Sequence, residues 1–193
     1  MALLEPKIVE NVFDQNFYNK LFEEFKSSAK SGYYEEGFGR YTLGPSEESA
    51  FKEAFDKAVE IARVVFNKST LLPSYAFFAH YEKKGNALPS LLHHRDDNAC
   101  TYTLDMCVYQ TEPWDLYVEN SSYTLYPNQA LAYYGNDQEH WRNDMPNPEE
   151  QHVAMIFFHF VEPDHWFYKK GPSYIEVIRG NVSEESWTMN HQK

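Results

Sequence analysis

The sequence predicts an α+β protein in which two amphipathic helices precede a barrel or sandwich of short antiparallel strands. Two segments near the start of the chain carry apolar residues at helical spacing. From residue 72 to residue 161, short aromatic or alternating segments are separated by Pro, Gly, Asn and Asp. Because no helical segment of convincing length separates these strands, antiparallel sheets are favoured over an α/β fold.

The first helix is predicted from about Asp14 to Ser31. The side chain of Asp14 can accept a hydrogen bond from a backbone amide of the first turn, which is the role of an N-cap residue. Gly32 follows the segment and is suited to end the helix, because glycine readily adopts the left-handed conformation. The apolar side chains of this segment recur at helical spacing: Phe17, Leu21, Phe22 and Phe25.

The second helix is predicted to begin at Ser46, with Glu48 in its first turn, and to end near residue 66. The segment between the two helices, which contains Gly37, Gly39 and Gly44, is expected to be a loop. Both helices should pack their apolar stripes on the strands that follow. The stripe of the second helix consists of Phe51, Phe55, Val59, Ile61, Ala62 and Val65.

Six short segments after residue 72 are predicted strands because they are β-branched or aromatic and often alternate in polarity. We expect one domain over residues 1–193, with helices at about 14–66, a β-barrel core at about 72–161 and a C-terminal extension at 162–193. The predicted strands are SYAFFAHYE, TYTLDMCVYQ, DLYVE, YTLYP, QALAYYG and HVAMIFFHFVE.

Composition and charge argue against several classes of protein. The formal net charge of −12 and the lack of a basic stripe disfavour a nucleic-acid partner, whose phosphates attract Lys and Arg. Cys100 and Cys107 form no CxxC pair, so we expect two buried thiols in a reducing compartment. The first residues lack the pattern of a signal peptide, and no run has membrane-spanning length. We therefore expect a cytoplasmic protein without a membrane partner.

A cluster of polar residues stands where an apolar strand is about to begin, in LLHHRDDNACTYTLDMCVYQ. On an extended strand, residues i and i+2 point to the same side, so His94 and Asp96 share one space. His140 follows the strand-like segment NQALAYYG and is the candidate third ligand. Two histidines and one carboxylate suit non-haem Fe(II), because they leave coordination positions open.

The order of these residues resembles that of the Fe(II)/2-oxoglutarate-dependent oxygenases. An HxD pair, several short strands, a distal histidine and a final strand, HVAMIFFHFV, follow one another as in that superfamily, and most closely as in its prolyl-4-hydroxylase-like group. The segment YEKKGNALPSLLHHRDD also resembles the approach to the HxD strand in that group, with Tyr81 and Gly85 at matching places. The resemblance covers about residues 72–161. It implies a double-stranded β-helix, a jelly-roll or cupin-like barrel, with two or more helices packed on one sheet.

The resemblance also implies an activity. His94, Asp96 and His140 would bind Fe(II), with 2-oxoglutarate as cosubstrate and O₂ as oxidant, and the enzyme would hydroxylate a C–H bond. Tyr81 would donate a hydrogen bond to the cosubstrate. The substrate stays open among a prolyl residue of a protein, a free amino acid and a nucleobase, of which the acidic charge makes the nucleobase the least favoured.

One position departs from the family pattern. Family members usually carry Arg or Lys on the last core strand, where it binds the far carboxylate of 2-oxoglutarate. Here His152 stands at that place, and its charge depends on pH. Arg142 is always charged and could serve if it turns inward. We expect His152 to contact the carboxylate, with Arg142 nearby, on a barrel-lining face that His152 shares with Ala154, Ile156 and Phe158.

Three further histidines receive structural interpretations. His159 lies on the other face of the last strand and is expected on the back of the barrel, against the helices. His93 points away from His94 and is expected at the surface or behind the ligands. His165 lies beyond the barrel and is expected to be structural.

Three other classes of protein remain open. A cupin-like isomerase or thiol dioxygenase that does not use 2-oxoglutarate would explain the lack of an obvious basic residue on the last strand. A zinc hydrolase could use the same three ligands, although the β-rich surroundings fit iron better. A non-enzymatic binding module could keep the fold, but the intact set of His94, Asp96 and His140 argues against it.

Overall fold

The computed structural model describes residues 5–46 and 49–169. Two helices of several turns and one short helix lie among eleven strands, with a 3₁₀ turn at Asn98–Cys100. The helices are α1 (Gln15–Ser28), α2 (Ala50–Val65) and α3 (Trp166–Lys169). The strands are β1 (Lys7–Val9), β2 (Tyr33–Glu35), β3 (Arg40–Leu43), β4 (Leu72–Tyr81), β5 (Leu91–His94), β6 (Tyr102–Gln110), β7 (Leu116–Val118), β8 (Ser121–Tyr123), β9 (Ala130–Tyr133), β10 (His140–Arg142) and β11 (Val153–Val161).

The strands form two antiparallel sheets. The larger has the order β1-β9-β6-β11-β4-β3-β2, and the smaller has the order β5-β10-β7-β8. Every strand pair in both sheets is antiparallel. The predicted α+β class, with two helices before antiparallel sheets, is therefore confirmed. The segment expected to be a loop between the helices instead contains the hairpin β2–β3, which extends the larger sheet beyond β4.

Helix α1 agrees with its predicted start but ends earlier than predicted. The carboxylate of Asp14 accepts a hydrogen bond of 3.0 Å from the amide of Phe17, as an N-cap does. The helix ends at Ser28 rather than Ser31, and the hydroxyls of Ser27 and Ser28 bind the carbonyl oxygen of Glu24. Hydroxyls that bind backbone carbonyls of the preceding turn compete with helix propagation.

Helix α2 begins at a different serine from the one predicted. Ser49 is the N-cap and accepts a hydrogen bond of 3.0 Å from the amide of Lys52, whereas Ser46 lies outside the helix. The carboxylate of Glu24 on α1 accepts a hydrogen bond from the amide of Ala50, which fixes the first turn at that point. This contact between helices is not visible in the local sequence. Glu48, predicted in the first turn, lies outside the described residues.

The larger sheet is buried on both faces. One face is covered by α1 and α2, where Leu21, Phe25 and Phe55 pack against the sheet. The other face turns toward the smaller sheet and contributes Tyr81 and Met155 to a second core. All nine residues of β11 are buried, because this strand lies in the middle of the sheet between β4 and β6.

The predicted orientation of β11 was wrong. Ala154, Ile156 and Phe158 do not line a barrel but pack beneath the helices, where the ring of Phe158 stacks on Phe55 at 6.1 Å between centroids. The opposite face, with Met155 and Phe157, looks toward the smaller sheet. A strand that is buried on both faces shows no polar side, so its sequence cannot tell the two faces apart.

No helix in the described ranges is both long and apolar enough to cross a membrane. The predicted C-terminal extension lies mostly outside the described residues, which end at Lys169 on α3.

Candidate metal centre and cavity

Three candidate ligands are brought together by the edge of the smaller sheet. His94 ends β5, His140 begins β10, and the two residues face each other in antiparallel register. Asp96 follows β5 directly, and its amide donates a hydrogen bond of 2.9 Å to the carbonyl of Gly135, just after β9 of the larger sheet. The cluster therefore connects the two sheets.

The distances between donor atoms fit one metal ion. Oδ1 of Asp96 lies 3.3 Å from Nε2 of His94 and 3.5 Å from Nε2 of His140. Ligand atoms at about 2.1 Å from one ion are separated by about 3.0 Å in an octahedral and about 3.4 Å in a tetrahedral arrangement. One donor atom from each residue lies within 4.8 Å of the others.

Backbone carbonyls orient both imidazoles. Nδ1 of His94 lies 2.8 Å from the carbonyl oxygen of Leu92, and Nδ1 of His140 lies 3.0 Å from that of Gln138. Because a carbonyl only accepts hydrogen bonds, each Nδ1 carries a proton, and Nε2 is the atom left for a ligand. Metal-binding histidines are commonly held in this way, so the residues present fit a metal ion.

The same three groups are electrostatically coupled. Burial alone would raise the pKa of Asp96, but hydrogen bonds from His140 and His94 hold it far below its ordinary value. Burial alone would lower the pKa of His140, but the Asp96 carboxylate raises it above its ordinary value. In the protein without metal, at a pH below that pKa, a proton on Nε2 of His140 occupies the place where a metal would bind.

Gly135 makes the approach of Asp96 possible. A β-carbon at this position would overlap Oδ2 of Asp96 and would also collide with Thr103 and the carbonyl of Cys100. Only a residue without a side chain allows the HxD segment to lie this close to the end of β9.

The cluster lies in the wall of a cavity of about 750 Å³ between the two sheets. The size suits a small-molecule site. Besides the three candidate ligands, the wall contains the polar residues Glu35, Arg40, Thr42, Tyr75, His93, Asp105, Tyr133 and His159.

Solved structures with a similar fold include enzymes that use 2-oxoglutarate, which is also called α-ketoglutarate. The chain resembles the non-haem α-ketoglutarate-dependent epimerase SnoN from nogalamycin biosynthesis, with a TM-score of 0.65, 9% identity and coverage of 81% of this chain and 77% of that one. It resembles a Pseudomonas putida prolyl-4-hydroxylase with a TM-score of 0.58, 11% identity and coverage of 81% and 92%. It also resembles a viral collagen prolyl hydroxylase from Paramecium bursaria Chlorella virus-1, solved with 2-oxoglutarate. Here the TM-score is 0.57, the identity is 10%, and the match covers 80% of this chain and 94% of that one.

The chain shares the fold of these solved structures. The resemblance inferred from the HxD pair and the distal histidine is confirmed at the level of structure, and the similar structures include prolyl hydroxylases. The sequence gives no significant match to a protein-family model or to a curated protein.

Within this fold, His152 lies far from where it was predicted. It comes just before β11, on the side of the sheet away from the cavity, and its Nδ1 lies 3.5 Å from a carboxylate oxygen of Glu82. Its ring stacks on that of His80 at 5.7 Å between centroids. The expectation that His152 points into the barrel was wrong. The cause is the same as for β11: a strand that is buried on both faces has no polar side from which its orientation could be predicted.

Arg142 does turn inward, as the alternative required. Its side chain is 3% exposed, and it donates hydrogen bonds to the carbonyl of Trp114 and, at 3.8 Å, to the sulfur of Met155. It is not part of the cavity wall. Tyr81 is fully buried in the same core, and its hydroxyl accepts a hydrogen bond of 3.1 Å from Arg40.

Arg40 is the basic residue of the cavity wall, and the sequence did not reveal it. It begins β3 in register with Tyr81, forms an ion pair of 2.5 Å with Glu35, and lies over the ring of Phe38 at 4.4 Å. The alternating polarity of Arg40–Leu43 is the local signal of a strand, but a segment of four residues among glycines also fits the predicted loop.

Two buried polar groups also face the cavity. The hydroxyl of Tyr133 donates a hydrogen bond of 2.9 Å to Asp105, whose other carboxylate oxygen has no partner among the described residues. Burial raises the pKa of Asp105 to about 7. His159 was predicted to lie against the helices, but it lines the cavity, and burial lowers its pKa to about 4, so its imidazole is neutral.

The two cysteines and His93 have no part in the candidate metal centre. Cys100 and Cys107 are buried and free, as predicted, and burial raises the pKa of each thiol, so neither is a ready nucleophile. Cys100, Asp96 and His159 also lie within 4.8 Å of one another, but a buried protonated thiol is a weaker ligand than His140. The ring of His93 stacks on that of Trp141 at 3.9 Å between centroids.

Proposed function

We propose that this protein is a non-haem Fe(II)- and 2-oxoglutarate-dependent oxygenase that hydroxylates a C–H bond. The observation that carries the proposal is the cluster of His94, Asp96 and His140, with metal-ligand spacing, in the wall of a cavity on an oxygenase fold. We infer further that the two sheets are the two sides of a double-stranded β-helix, with the cavity at its open end.

The donor set is compatible with iron. Two imidazoles and one carboxylate on one side of an ion leave several positions open, which 2-oxoglutarate and O₂ require. When bound, iron with 2-oxoglutarate supplies the oxidising chemistry, in which one oxygen atom of O₂ enters the substrate C–H bond and the other enters succinate, with loss of CO₂. The chain itself orients the reactants and limits the access of water.

We propose that Arg40 binds the far carboxylate of 2-oxoglutarate, and that Tyr81, whose hydroxyl accepts a hydrogen bond from Arg40, orients its guanidinium. A dianion in a partly apolar cavity needs a positive partner, because an unpaired buried charge is costly. Arg40 lines the cavity and is hydrogen-bonded to Tyr81, the residue that the family resemblance assigns to the cosubstrate. This assignment replaces His152, which lies behind the sheet, and Arg142, which is not part of the cavity wall.

The substrate is proposed to be a protein side chain or a small molecule. A prolyl residue is one candidate, since two of the similar structures are prolyl hydroxylases and a third, from Trichoplax adhaerens, was solved with a peptide fragment. The epimerase SnoN has the same architecture, so the fold alone does not select the reaction on the C–H bond.

Anaerobic reconstitution tests the proposal. Fe(II) is added to the metal-free protein with and without 2-oxoglutarate, and the visible metal-to-ligand charge-transfer band is recorded. The band should appear only with both additions and should be absent from Asp96→Ala, which removes one ligand without opening a core cavity. Admission of O₂ should then release succinate. A wild-type protein that binds iron but never gives the band would favour the cupin-like alternative.

A further inference from the structure

The geometry points to a second metal site, for a divalent ion of the zinc class, formed by His80, Glu82 and His152. The site lies on the helix-covered side of the larger sheet, opposite the cavity, and does not depend on the proposed oxygenase activity. One donor atom from each of the three residues lies within 4.8 Å of the others.

Two neighbouring strands place these side chains together. His80 and Glu82 are two residues apart at the end of β4, so they point to the same side of the sheet. Strand β11 pairs with β4 so that Ala154 faces His80, and His152, two residues earlier, comes beside Glu82. Tyr81, between the two ligands, points through the sheet to the cavity side.

The spacing of the donor atoms fits one ion. Oε2 of Glu82 lies 2.9 Å from Nε2 of His80 and 3.5 Å from Nδ1 of His152. A tetrahedral zinc ion would separate its ligand atoms by about 3.4 Å, so shifts of a few tenths of an ångström would complete the site. Two imidazoles and a carboxylate select a transition metal over Ca²⁺ or Mg²⁺, which prefer oxygen ligands.

Protein atoms do not satisfy this cluster. Nδ1 of His152 is buried and has no hydrogen-bond partner among the described residues, although a carboxylate oxygen stands 3.5 Å away. Buried polar atoms without partners are costly and uncommon, and a metal ion between His152 and Glu82 would supply the missing interaction.

Lys30 now supplies the positive charge at this place. Its ammonium lies 2.7 Å from Oε2 of Glu82, the same oxygen that contacts both imidazoles. The side chain of Lys30 is 61% exposed, so it can turn into solvent when a metal ion takes its place. Lys30 therefore competes with the metal ion for the Glu82 carboxylate and is not a ligand.

Metal counting tests the inference. The full chain is stripped with chelator, dialysed against Zn²⁺ and analysed for zinc per chain. We expect two ions for the wild type, one for Glu82→Gln, one for Asp96→Ala and none for the double variant. Glu82→Gln keeps the shape of the side chain, and circular dichroism confirms its fold. Glu149→Gln is the matched control, because Glu149 is an exposed carboxylate paired with Lys83, and it should retain both ions.

A second variant makes the result independent of any loss of folding. Lys30→Met removes the competing ammonium and should tighten binding of the second zinc ion about tenfold. The inference is overturned if Glu82→Gln still binds two ions, or if Lys30→Met leaves both affinities unchanged. If instead the proposed oxygenase site binds no metal, the wild type would bind one ion, which Asp96→Ala would keep and Glu82→Gln would lose.

Discussion

Asp105 is a buried carboxyl group whose pKa rises from 3.8 to about 7, chiefly because of burial. A group whose pKa is higher in the folded state favours folding while it is protonated and loses that contribution as pH rises through the folded value. In the metal-free protein, Asp105→Asn should therefore melt several degrees above the wild type at pH 8 and show a smaller advantage at pH 5. The amide oxygen can still accept from Tyr133. Melting temperatures at both pH values check this, and equal differences at both would contradict it.

Arg40 is the residue proposed to hold the cosubstrate. If it binds the far carboxylate of 2-oxoglutarate, Arg40→Leu should raise the KM for 2-oxoglutarate about 30-fold or more, since charge-assisted pairs are worth about 2 kcal/mol or more. Arg40→Lys should recover part of the loss. Arg63→Leu is the matched control, because it removes an arginine of α2 that is bound to Glu60 and to the carbonyl of Leu71. An unchanged KM in Arg40→Leu would remove Arg40 from the cosubstrate site.

At the scale of elements, the turn after β9 determines whether the HxD segment can reach its position. Gly135→Ala should weaken metal binding at the cavity about 10- to 100-fold, because its β-carbon would displace the Asp96 carboxylate. Gly37→Ala is the control, since a β-carbon there meets no atom within 4 Å. Metal affinity is measured by titration of the stripped protein. Equal affinities in the two variants would show that Asp96 is free to move.

Elements also show where sequence reasoning succeeds and where it stops. The helices could be predicted because one face of each is polar, and the i, i+2 rule placed His94 beside Asp96. The faces of β11 could not be assigned, because helices cover one side and the smaller sheet covers the other. The place of Arg40 in the cavity could not be predicted, because β3 has only four residues. Arg40 meets its partners, Glu35 and Tyr81, only after the hairpin has joined β4. Short strands depend on pairing that local sequence does not encode.

At the scale of the whole molecule, the candidate ligands join the two sheets. His94 and His140 belong to the smaller sheet, whereas the amide of Asp96 is bound to Gly135 at the end of β9 in the larger one. A metal ion held by all three would cross-link the sheets, and an ion that binds only the folded chain stabilises it by mass action. The melting temperature of the stripped protein should therefore rise with added Mn²⁺, and this rise should be smaller in Asp96→Ala.

The size of that rise should depend on pH. The Asp96 carboxylate raises the pKa of His140 above 6.5, so in the metal-free protein the imidazole holds a proton at the atom that a metal needs. Each metal ion bound must release that proton, and below the pKa the affinity should fall about tenfold for each pH unit. We expect Mn²⁺ to bind more weakly, and to raise the melting temperature less, at pH 6 than at pH 8. Calorimetric titration in buffers of different ionisation enthalpy would count the proton. Affinity that is constant from pH 6 to pH 8, with no proton released, would mean that His140 is not a ligand.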